Sequence, residues 1–173
     1  MNTISRRDLF RATGVAGAFS LSSLAVAAAG TENPVLGKWT YRSFINDADP
    51  NTDFNKLKFA VADLSCEQAD FGKIAGRLSF GDDHLKLTGT ITFGHPFRVR
   101  FQGVGATAGT IENGQPWIFD YLGFVAPAWP NGIDQTPAIV GTIVRAVAHS
   151  NGQAKAGFVA SWIAVRSDLP KGK

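Results

Sequence analysis

The sequence predicts an all-β protein, a single antiparallel up-and-down β-barrel of roughly eight strands. Three observations lead to this prediction. Phe, Val, Ile and Thr are frequent and helix-forming runs are few, a composition that favours strands. Apolar and polar residues alternate in short segments separated by turn residues, as in β-sandwiches and β-barrels. Glycines recur inside the later segments, which indicates strands that bend enough for a sheet to close on itself.

The first half of the chain contains most of the predicted strands. The segment 84–93 shows the period of two most clearly, because apolar residues share one face and His, Lys and Thr side chains share the other. The tight turn Gly81-Asp82-Asp83 precedes it. The predicted strands of this half are 36–45, 57–65, 71–80, 84–93 and one that begins at Phe97, with a polar loop at 46–55.

The second half of the chain is predicted to add the remaining strands. A hairpin turn at Glu112-Asn113-Gly114 leads into the strand 117–125. The final two strands are 137–149 and 155–166, and the turn residues Ser150-Asn151-Gly152 join them. Short connections of this kind make each strand antiparallel to the one before it.

Nearly every later strand contains an interior glycine, and glycine within a strand marks a bulge or a sharp bend. A sheet that bends in each strand can coil and close, so we prefer a barrel to the alternative, a two-sheet β-sandwich with longer crossover connections. An eight-stranded barrel is just wide enough to hold its own side chains or one small ligand. The glycines concerned are Gly76, Gly89, Gly103, Gly123, Gly141 and Gly157.

The N-terminus has the features of an export signal. Ser5-Arg6-Arg7-Asp8-Leu9-Phe10 precedes a weakly apolar run, too polar for a spanning helix, that ends in small residues at Ala29. This pattern resembles a twin-arginine signal, an address that a receptor reads in bacteria. The resemblance implies that the twin-arginine translocase carries the folded chain to the periplasm. We therefore predict a signal peptide over 1–27, with cleavage after Ala27 or Ala29, and a barrel domain over 28–173.

Cysteine content and charge argue against several classes of protein. Cys66 is the single cysteine, so no internal disulfide is expected, and we interpret it as a buried, inert thiol. The precursor has a formal net charge of +3, and the signal holds three arginines and one aspartate, which leaves +1 for the mature chain. That balance predicts no nucleic-acid partner. We expect a mature chain that does not span a membrane, and the sequence leaves its oligomeric state open.

Gly37-Lys38-Trp39 in the first strand resembles the Gly-x-Trp signature of the lipocalin and avidin barrels. Phe119-Asp120-Tyr121 is loosely similar to the Thr-Asp-Tyr of lipocalins. In lipocalins the tryptophan closes the bottom of the barrel beneath an arginine from the far end of the chain. The resemblance therefore implies that Arg166 lies over Trp39, as a cation over an aromatic face. It supports a calycin-type barrel and names no ligand.

The loop 47–53 is the candidate metal site. Four oxygen-bearing side chains stand at alternate positions, which is the early spacing of a calcium-binding EF-hand loop. The turn glycine and the bidentate glutamate of that motif are missing, and the same residue types also form ordinary solvated turns. Calcium and a plain loop both stay open, and no other cofactor is predicted. The candidate ligands are Asp47, Asp49, Asn51 and Asp53.

Asp120, Tyr121 and His149 are the candidate catalytic residues of a cofactor-free isomerase, cyclase or hydro-lyase. If Asp120 faced the lumen, burial would raise its pKa and suit it to acid–base chemistry. If the aromatic residues of the run 117–121 share the inside, as a period of two favours, Asp120 points to solvent. The three histidines lack a metal-binding spacing, and no nucleophile, phosphate-loop or dinucleotide motif is present.

The longest irregular stretch after the signal, Ala126–Thr136, is the candidate ligand-binding loop. Loops at the open mouth of a barrel meet the ligand, and Trp129, Asn131 and Gln135 would offer an aromatic platform and two amides. Trp129 could equally plug the barrel end as part of the core. Together with Tyr121, these residues predict a periplasmic barrel that binds a small, largely apolar organic molecule. The alternatives are the enzyme acting in the same cavity and an accessory subunit of a larger exported complex.

Overall fold

The computed structural model describes residues 33–127 and 135–168. These residues form a closed antiparallel β-barrel of eight strands, which confirms the predicted fold class. Each barrel strand pairs with the next along the chain, and the first strand pairs with the last, so the sheet closes on itself. A two-stranded hairpin interrupts this order once, between the fifth and the sixth barrel strands.

The elements in chain order are β1 Gly37–Ile45, helix α1 Phe54–Leu57, β2 Lys58–Asp70, β3 Lys73–Phe80, β4 Asp83–Thr92, β5 Arg98–Gly105, a 3₁₀ turn Ala108–Thr110, β6 Ile111–Glu112, β7 Gln115–Pro116, β8 Ile118–Val125, β9 Ala138–Arg145 and β10 Val159–Arg166. The order around the barrel is β1-β10-β9-β8-β5-β4-β3-β2, and β6 pairs with β7 alone. Within the described ranges, every helix is too short or too polar to cross a membrane.

The period of two places the apolar face of each barrel strand in the lumen. In β8, Phe119 and Tyr121 are buried whereas Asp120 between them is exposed. This arrangement confirms the predicted inside and outside of the strand. Phe93 departs from the prediction: β4 ends at Thr92, and Phe93 beyond it is about half exposed (48%) instead of continuing the inward face.

The connection between β9 and β10 differs most from the sequence prediction. The predicted strands 137–149 and 155–166 are both shorter, and residues 146–158 form a loop. Within that loop, His149 pairs with Ala154 as an isolated bridge, across a turn whose residues have positive φ angles. This local pairing satisfies backbone groups that would otherwise have continued the two strands.

The connection between β1 and β2 also differs from the prediction. Helix α1 precedes β2, and Asp53 caps it by accepting a hydrogen bond from Asn55 N at 2.8 Å. β2 then continues to Asp70 and does not end at Ser65 as predicted. The strand is long because its first part pairs with β1 and its last part with β3.

Close approach between neighbouring strands accounts for three of the interior glycines, Gly76, Gly89 and Gly141. A Cβ atom on Gly89 would lie 2.0 Å from Arg100 O, and one on Gly141 would lie 1.9 Å from Leu122 O. Any larger residue would force these strands apart, in agreement with the prediction that glycines let the sheet coil. Gly157 does not belong to this set, because it lies in the loop before β10 with a φ of 80°.

The lumen of the barrel is filled by side chains of the barrel itself. The rings of Tyr41 and Trp162 stack with their centres 5.6 Å apart, and Tyr121 packs edge-on against both. A cavity of about 10 Å³ remains beside them, which is about the volume that one water molecule needs. The depth of the lumen therefore holds no space for an organic ligand in this conformation.

Candidate functional site at one end of the barrel

One end of the barrel, the Arg166 end, is closed by Trp39, Arg166 and Asp168. The guanidinium carbon of Arg166 lies 5.1 Å from the ring centre of Trp39, which confirms the predicted contact. Trp39 Nε1 donates to Val35 O at 3.0 Å. Arg166 Nε donates to Asp168, which also accepts from Lys38 N at 2.9 Å. These polar groups are thus paired within the protein.

The opposite end, the Arg145 end, is built around the last residue of β9. Ile139, Ile143 and Arg145 share the inward face of that strand, and only 8% of Arg145 is exposed. Its guanidinium carbon lies 5.0 Å from the ring centre of Phe158 and 5.9 Å from that of Phe59, within reach of a cation–π interaction. The alternation that buries the apolar residues of β9 thus also buries this charge.

The guanidinium of Arg145 is only partly hydrogen-bonded. Nη1 donates to Lys155 O at 3.0 Å, and Nε is buried without a partner among the described residues. Among the described residues, ion pairs join Arg166 to Asp168 and Lys73 to Asp70, and neither pair involves Arg145. Burial lowers the pKa of Arg145, because the charged form loses hydration.

His149 lies at the same end and stacks on Trp117. The two ring centres are 4.1 Å apart with an angle of 18° between the planes, and Phe119 packs edge-on against the imidazole at 5.8 Å. His149 Nδ1 lies 2.9 Å from Ser150 Oγ. Nε2 of His149 and Nε1 of Trp117 are buried without partners in the described ranges. With Nε of Arg145, three buried nitrogen atoms at this end share that state.

A carboxylate holds the β9–β10 loop against the β6–β7 hairpin. Glu112 accepts hydrogen bonds from Ser150 N at 2.5 Å and from Asn151 N at 2.7 Å. Ser150 and Asn151 both have positive φ angles, and successive N–H groups in such a turn can converge on an anion. These bonds fix the loop, and with it the position of His149 over Trp117.

Among the described residues at the Arg145 end, the buried positive charge is the guanidinium of Arg145. Burial lowers the pKa of His149, and the charge of Arg145 lowers it further, while Glu112 raises it. The imidazole is therefore neutral at pH 7, since its pKa lies below the ordinary value of about 6.5. The site offers one cation and buried nitrogen atoms between aromatic rings, which suits a ligand with an apolar body and a hydrogen-bond acceptor.

The lumen below this end contains buried hydroxyl groups. Tyr41 Oη and Ser43 Oγ are both buried, and the effect of burial on the pKa of Tyr41 is partly offset by the interaction with the Ser43 hydroxyl. Burial raises the pKa of Tyr41 and of Tyr121 well above 10, so neither phenol ionises near neutral pH. Burial also raises the pKa of the Cys66 thiol to about 12. The predicted burial of Cys66 is confirmed, and a protonated thiol is a poor nucleophile.

The structure does not bring Asp120, Tyr121 and His149 to one point. Asp120 is exposed on the outer face of β8, where its carboxylate accepts from Gln102 Nε2 at 3.2 Å. Tyr121 points into the lumen, and His149 lies at the Arg145 end. The interpretation that places Asp120 toward solvent is confirmed, and no site containing all three residues forms.

The predicted ligand-binding loop Ala126–Thr136 leaves the barrel at the Arg166 end. On either side of the loop, the main chain is hydrogen-bonded to the start of β9 and the end of β10, next to Arg166. Trp129 and Asn131 lie outside the described residues, and Gln135 is exposed. Ligand binding by Trp129, Asn131 and Gln135 stays a prediction, at the end opposite to Arg145.

The carboxylates of the predicted calcium loop take part in hydrogen bonds within the loop. Asp47 accepts from Asp49 N at 2.9 Å and from the Thr52 hydroxyl at 2.8 Å, and these bonds lower the pKa of Asp47. Asp49 in turn accepts from Asn51 N at 2.9 Å. Among the described residues, no cluster of three or more His, Cys, Asp or Glu is placed to hold a metal ion. Calcium binding by these residues and Asp53 stays a prediction.

The predicted site residues did not include Arg145, Phe59 or Phe158. A signal for Arg145 was present, since it falls on the same face of β9 as Ile139 and Ile143. A charge at an inward position is the informative exception to burial rules. Phe158 lies beside Arg145 across the β9–β10 connection, where Arg145 N donates to Phe158 O. No comparable signal marked Phe59, because only closure of the barrel between β1 and β10 brings β2 near Arg145.

Comparisons with protein-family models, with curated proteins and with solved structures find no match to this chain. The likeness to lipocalins and avidin therefore stands on the closed eight-stranded antiparallel barrel and on the contact between Trp39 and Arg166. Both are consistent with a calycin-like fold. Because a fold alone names no ligand, the function has to be argued from the Arg145 end.

Proposed function

We propose that this protein is an exported β-barrel that binds a small, largely apolar organic molecule at the Arg145 end. The observation that carries the proposal is the set of three buried nitrogen atoms without partners in the described ranges, on Trp117, Arg145 and His149. A buried polar group left unpaired costs about 1–3 kcal/mol, and most such groups have a partner or a role. A ligand that accepts hydrogen bonds would supply the missing partner.

Aromatic rings around these nitrogen atoms would contact the apolar body of the ligand. Phe59 and Phe158 pack together with ring centres 5.3 Å apart, and Phe119 packs against His149. Apolar walls with a few placed polar groups are typical of small-molecule sites. Because the depth of the lumen has room for about one water molecule, we place the ligand at the end of the barrel.

Binding can be tested with N-phenyl-1-naphthylamine, a neutral dye whose fluorescence rises in apolar surroundings. We expect saturable binding to the purified mature protein. Phe158→Ala should raise the Kd of the dye about ten-fold or more, as for an interface aromatic that acts as a hot spot. Phe71→Ala is the matched control, since Phe71 is 87% exposed between β2 and β3, at the Arg166 end. Absence of saturable binding, or an equal loss in both variants, would contradict the proposal.

Export is proposed from the N-terminal pattern alone. Changing Arg6 and Arg7 together to Lys should leave folded precursor in the cytoplasm, because the receptor reads the arginine pair. Cell fractionation followed by immunoblotting measures the distribution, and Arg11→Lys is the control outside the pair. Normal periplasmic delivery of the double variant would reject the twin-arginine pathway and leave ligand binding untouched.

A further inference from the structure

The two ends of the barrel contain similar arginine–aromatic contacts that differ in charge pairing. At the Arg166 end, the guanidinium lies over Trp39 and its Nε donates to the carboxylate of Asp168. At the Arg145 end, the guanidinium lies over Phe158 and its Nε has no partner in the described ranges. The first arginine thus has a carboxylate within the protein, and the second lacks one among the described residues.

The free edge of Arg145 defines where an acceptor can bind. Nη1 is occupied by Lys155 O, and the rings of Phe59 and Phe158 lie against the guanidinium. The remaining part is the in-plane edge that includes Nε. A carboxylate matches such an edge, since its two oxygens can accept two parallel N–H bonds. The corresponding atom of Arg166, Nε, donates a hydrogen bond to the carboxylate of Asp168.

We propose that the ligand of the Arg145 end carries a carboxylate and that this carboxylate binds the Nε edge of Arg145. The inference rests on the proposed function and specifies the head group of the ligand. A carboxylate brings the single negative charge that balances one guanidinium, whereas a phosphate dianion would leave an excess charge in a largely buried site. His149 Nε2 can donate a further bond in the tautomer whose Nδ1 accepts from the Ser150 hydroxyl.

Displacement of N-phenyl-1-naphthylamine by two competitors with the same ring system tests the head group. We expect the wild-type protein to bind 1-naphthoate about ten-fold or more tightly than 1-naphthylmethanol, because hydrogen bonds to charged groups are the stronger ones. Arg145→Gln should abolish this preference, because the charged donor that distinguishes the two head groups is removed. Arg145→Lys keeps the charge without the planar fork, so it should retain part of the preference. Arg166→Gln is the matched control and should retain all of it.

The outcomes separate this inference from the proposed function. Equal affinity of the wild-type protein for the two competitors would overturn the inference that the ligand carries a carboxylate, and would leave the proposed binding site for the dye intact. Failure of the dye to bind would overturn the proposed function itself. A preference for 1-naphthoate that persists in Arg145→Gln would overturn the role of Arg145. The comparison of the two competitors uses the wild-type protein alone, so it does not depend on the folding of any variant. Circular dichroism checks that each variant is folded.

Discussion

The two ends of the barrel each combine an arginine, aromatic rings and a tryptophan, but their polar atoms are paired differently. At the Arg166 end, Trp39 Nε1 donates to a backbone carbonyl and Arg166 Nε donates to a carboxylate. At the Arg145 end, Trp117 Nε1 and Arg145 Nε are buried without partners in the described ranges. We expect the first end to support the fold and the second to bind a ligand.

This difference arises because a carboxylate lies near each end, and the two carboxylates have different hydrogen-bond partners. Asp168 follows β10 closely enough to accept from Arg166. Near the other end, the carboxylate of Glu112 is already taken by the N–H groups of Ser150 and Asn151. With the carboxylate of Glu112 held by the β9–β10 loop, Nε of Arg145 has no partner among the described residues.

Removal of the two tryptophans should have the largest effect on stability and should separate the two ends. Trp39→Ala should lower the free energy of unfolding by about 3–5 kcal/mol, because Trp39 is 1% exposed and hydrogen-bonded. Trp117→Ala should cost less, about 1–2 kcal/mol, since Trp117 is half-buried and its N–H has no partner to lose. Urea unfolding measures both values. Equal losses would mean that the Arg145 end supports the fold as much as the Arg166 end does.

Removal of the two arginine charges should change stability in different directions. Arg166→Gln should cost about 1 kcal/mol or more, because it loses a cation–π contact with Trp39 in addition to its ion pair. Arg145→Gln should leave the ligand-free protein equally stable or more stable, since it removes a buried charge without a counter-charge. Urea unfolding of ligand-free protein tests this, and a marked loss in Arg145→Gln would contradict it.

The double variant Trp39→Ala/Arg166→Ala sharpens the assignment of the Arg166 end. Residues in contact are energetically coupled, so the two losses should not add. Full additivity in the double-mutant cycle would show that the observed contact between the two side chains contributes nothing to stability.

The two ends should also lose stability in different pH ranges, which is the smallest of the expected effects. The hydrogen bond from Arg166 lowers the pKa of Asp168. The contribution of Asp168 to the free energy of unfolding is therefore complete above its ordinary pKa of about 3.9 and is lost as the pH falls below that value. Burial lowers the pKa of His149. The contribution of the neutral imidazole to the free energy of unfolding is therefore complete above the ordinary pKa of about 6.5 and declines below that pH. Melting temperatures should become less pH-dependent in Asp168→Asn below about pH 3.9 and in His149→Gln below about pH 6.5, because the ordinary pKa values are the upper limits of the two ranges.

The pH profile also reports on the ligand. A carboxylate bound beside His149 would favour the imidazolium, so 1-naphthoate should raise the pKa of His149 toward its ordinary value. Imidazole NMR signals measure this shift directly, and 1-naphthylmethanol is the neutral control. A His149 titration that is unaffected by 1-naphthoate would place the carboxylate away from this end.

The inside and outside of the strands could be predicted from the sequence with good accuracy. Phe119 and Tyr121 are buried and Asp120 is exposed, as their alternation predicts. The contact between Trp39 and Arg166 followed from the resemblance to lipocalin barrels. The first of these successes has a local cause, because neighbouring residues of a strand must point to opposite faces.

The position of the loop Ala126–Thr136 could also have been derived before the structure was known. In an up-and-down barrel, the connection after every even-numbered barrel strand lies at the end where the first strand begins. This loop follows the sixth barrel strand, so the strand count alone places it beside Trp39. The composition of this loop predicted that it lies at the open end of the barrel, but the order of the strands determines at which of the two ends it lies.

By itself, the sequence determined an antiparallel barrel of about eight strands and the face that each strand turns to the lumen, because turn residues and a period of two act over a few neighbouring positions. Only the tertiary structure decided which buried polar atoms have partners. Phe59 reaches Arg145 and Phe158 because the barrel closes, and Asp168 reaches Arg166 whereas Glu112 is held by the β9–β10 loop. Hydrogen bonds form or fail over a few tenths of an ångström, so their pairing depends on packing that no local pattern of residues specifies.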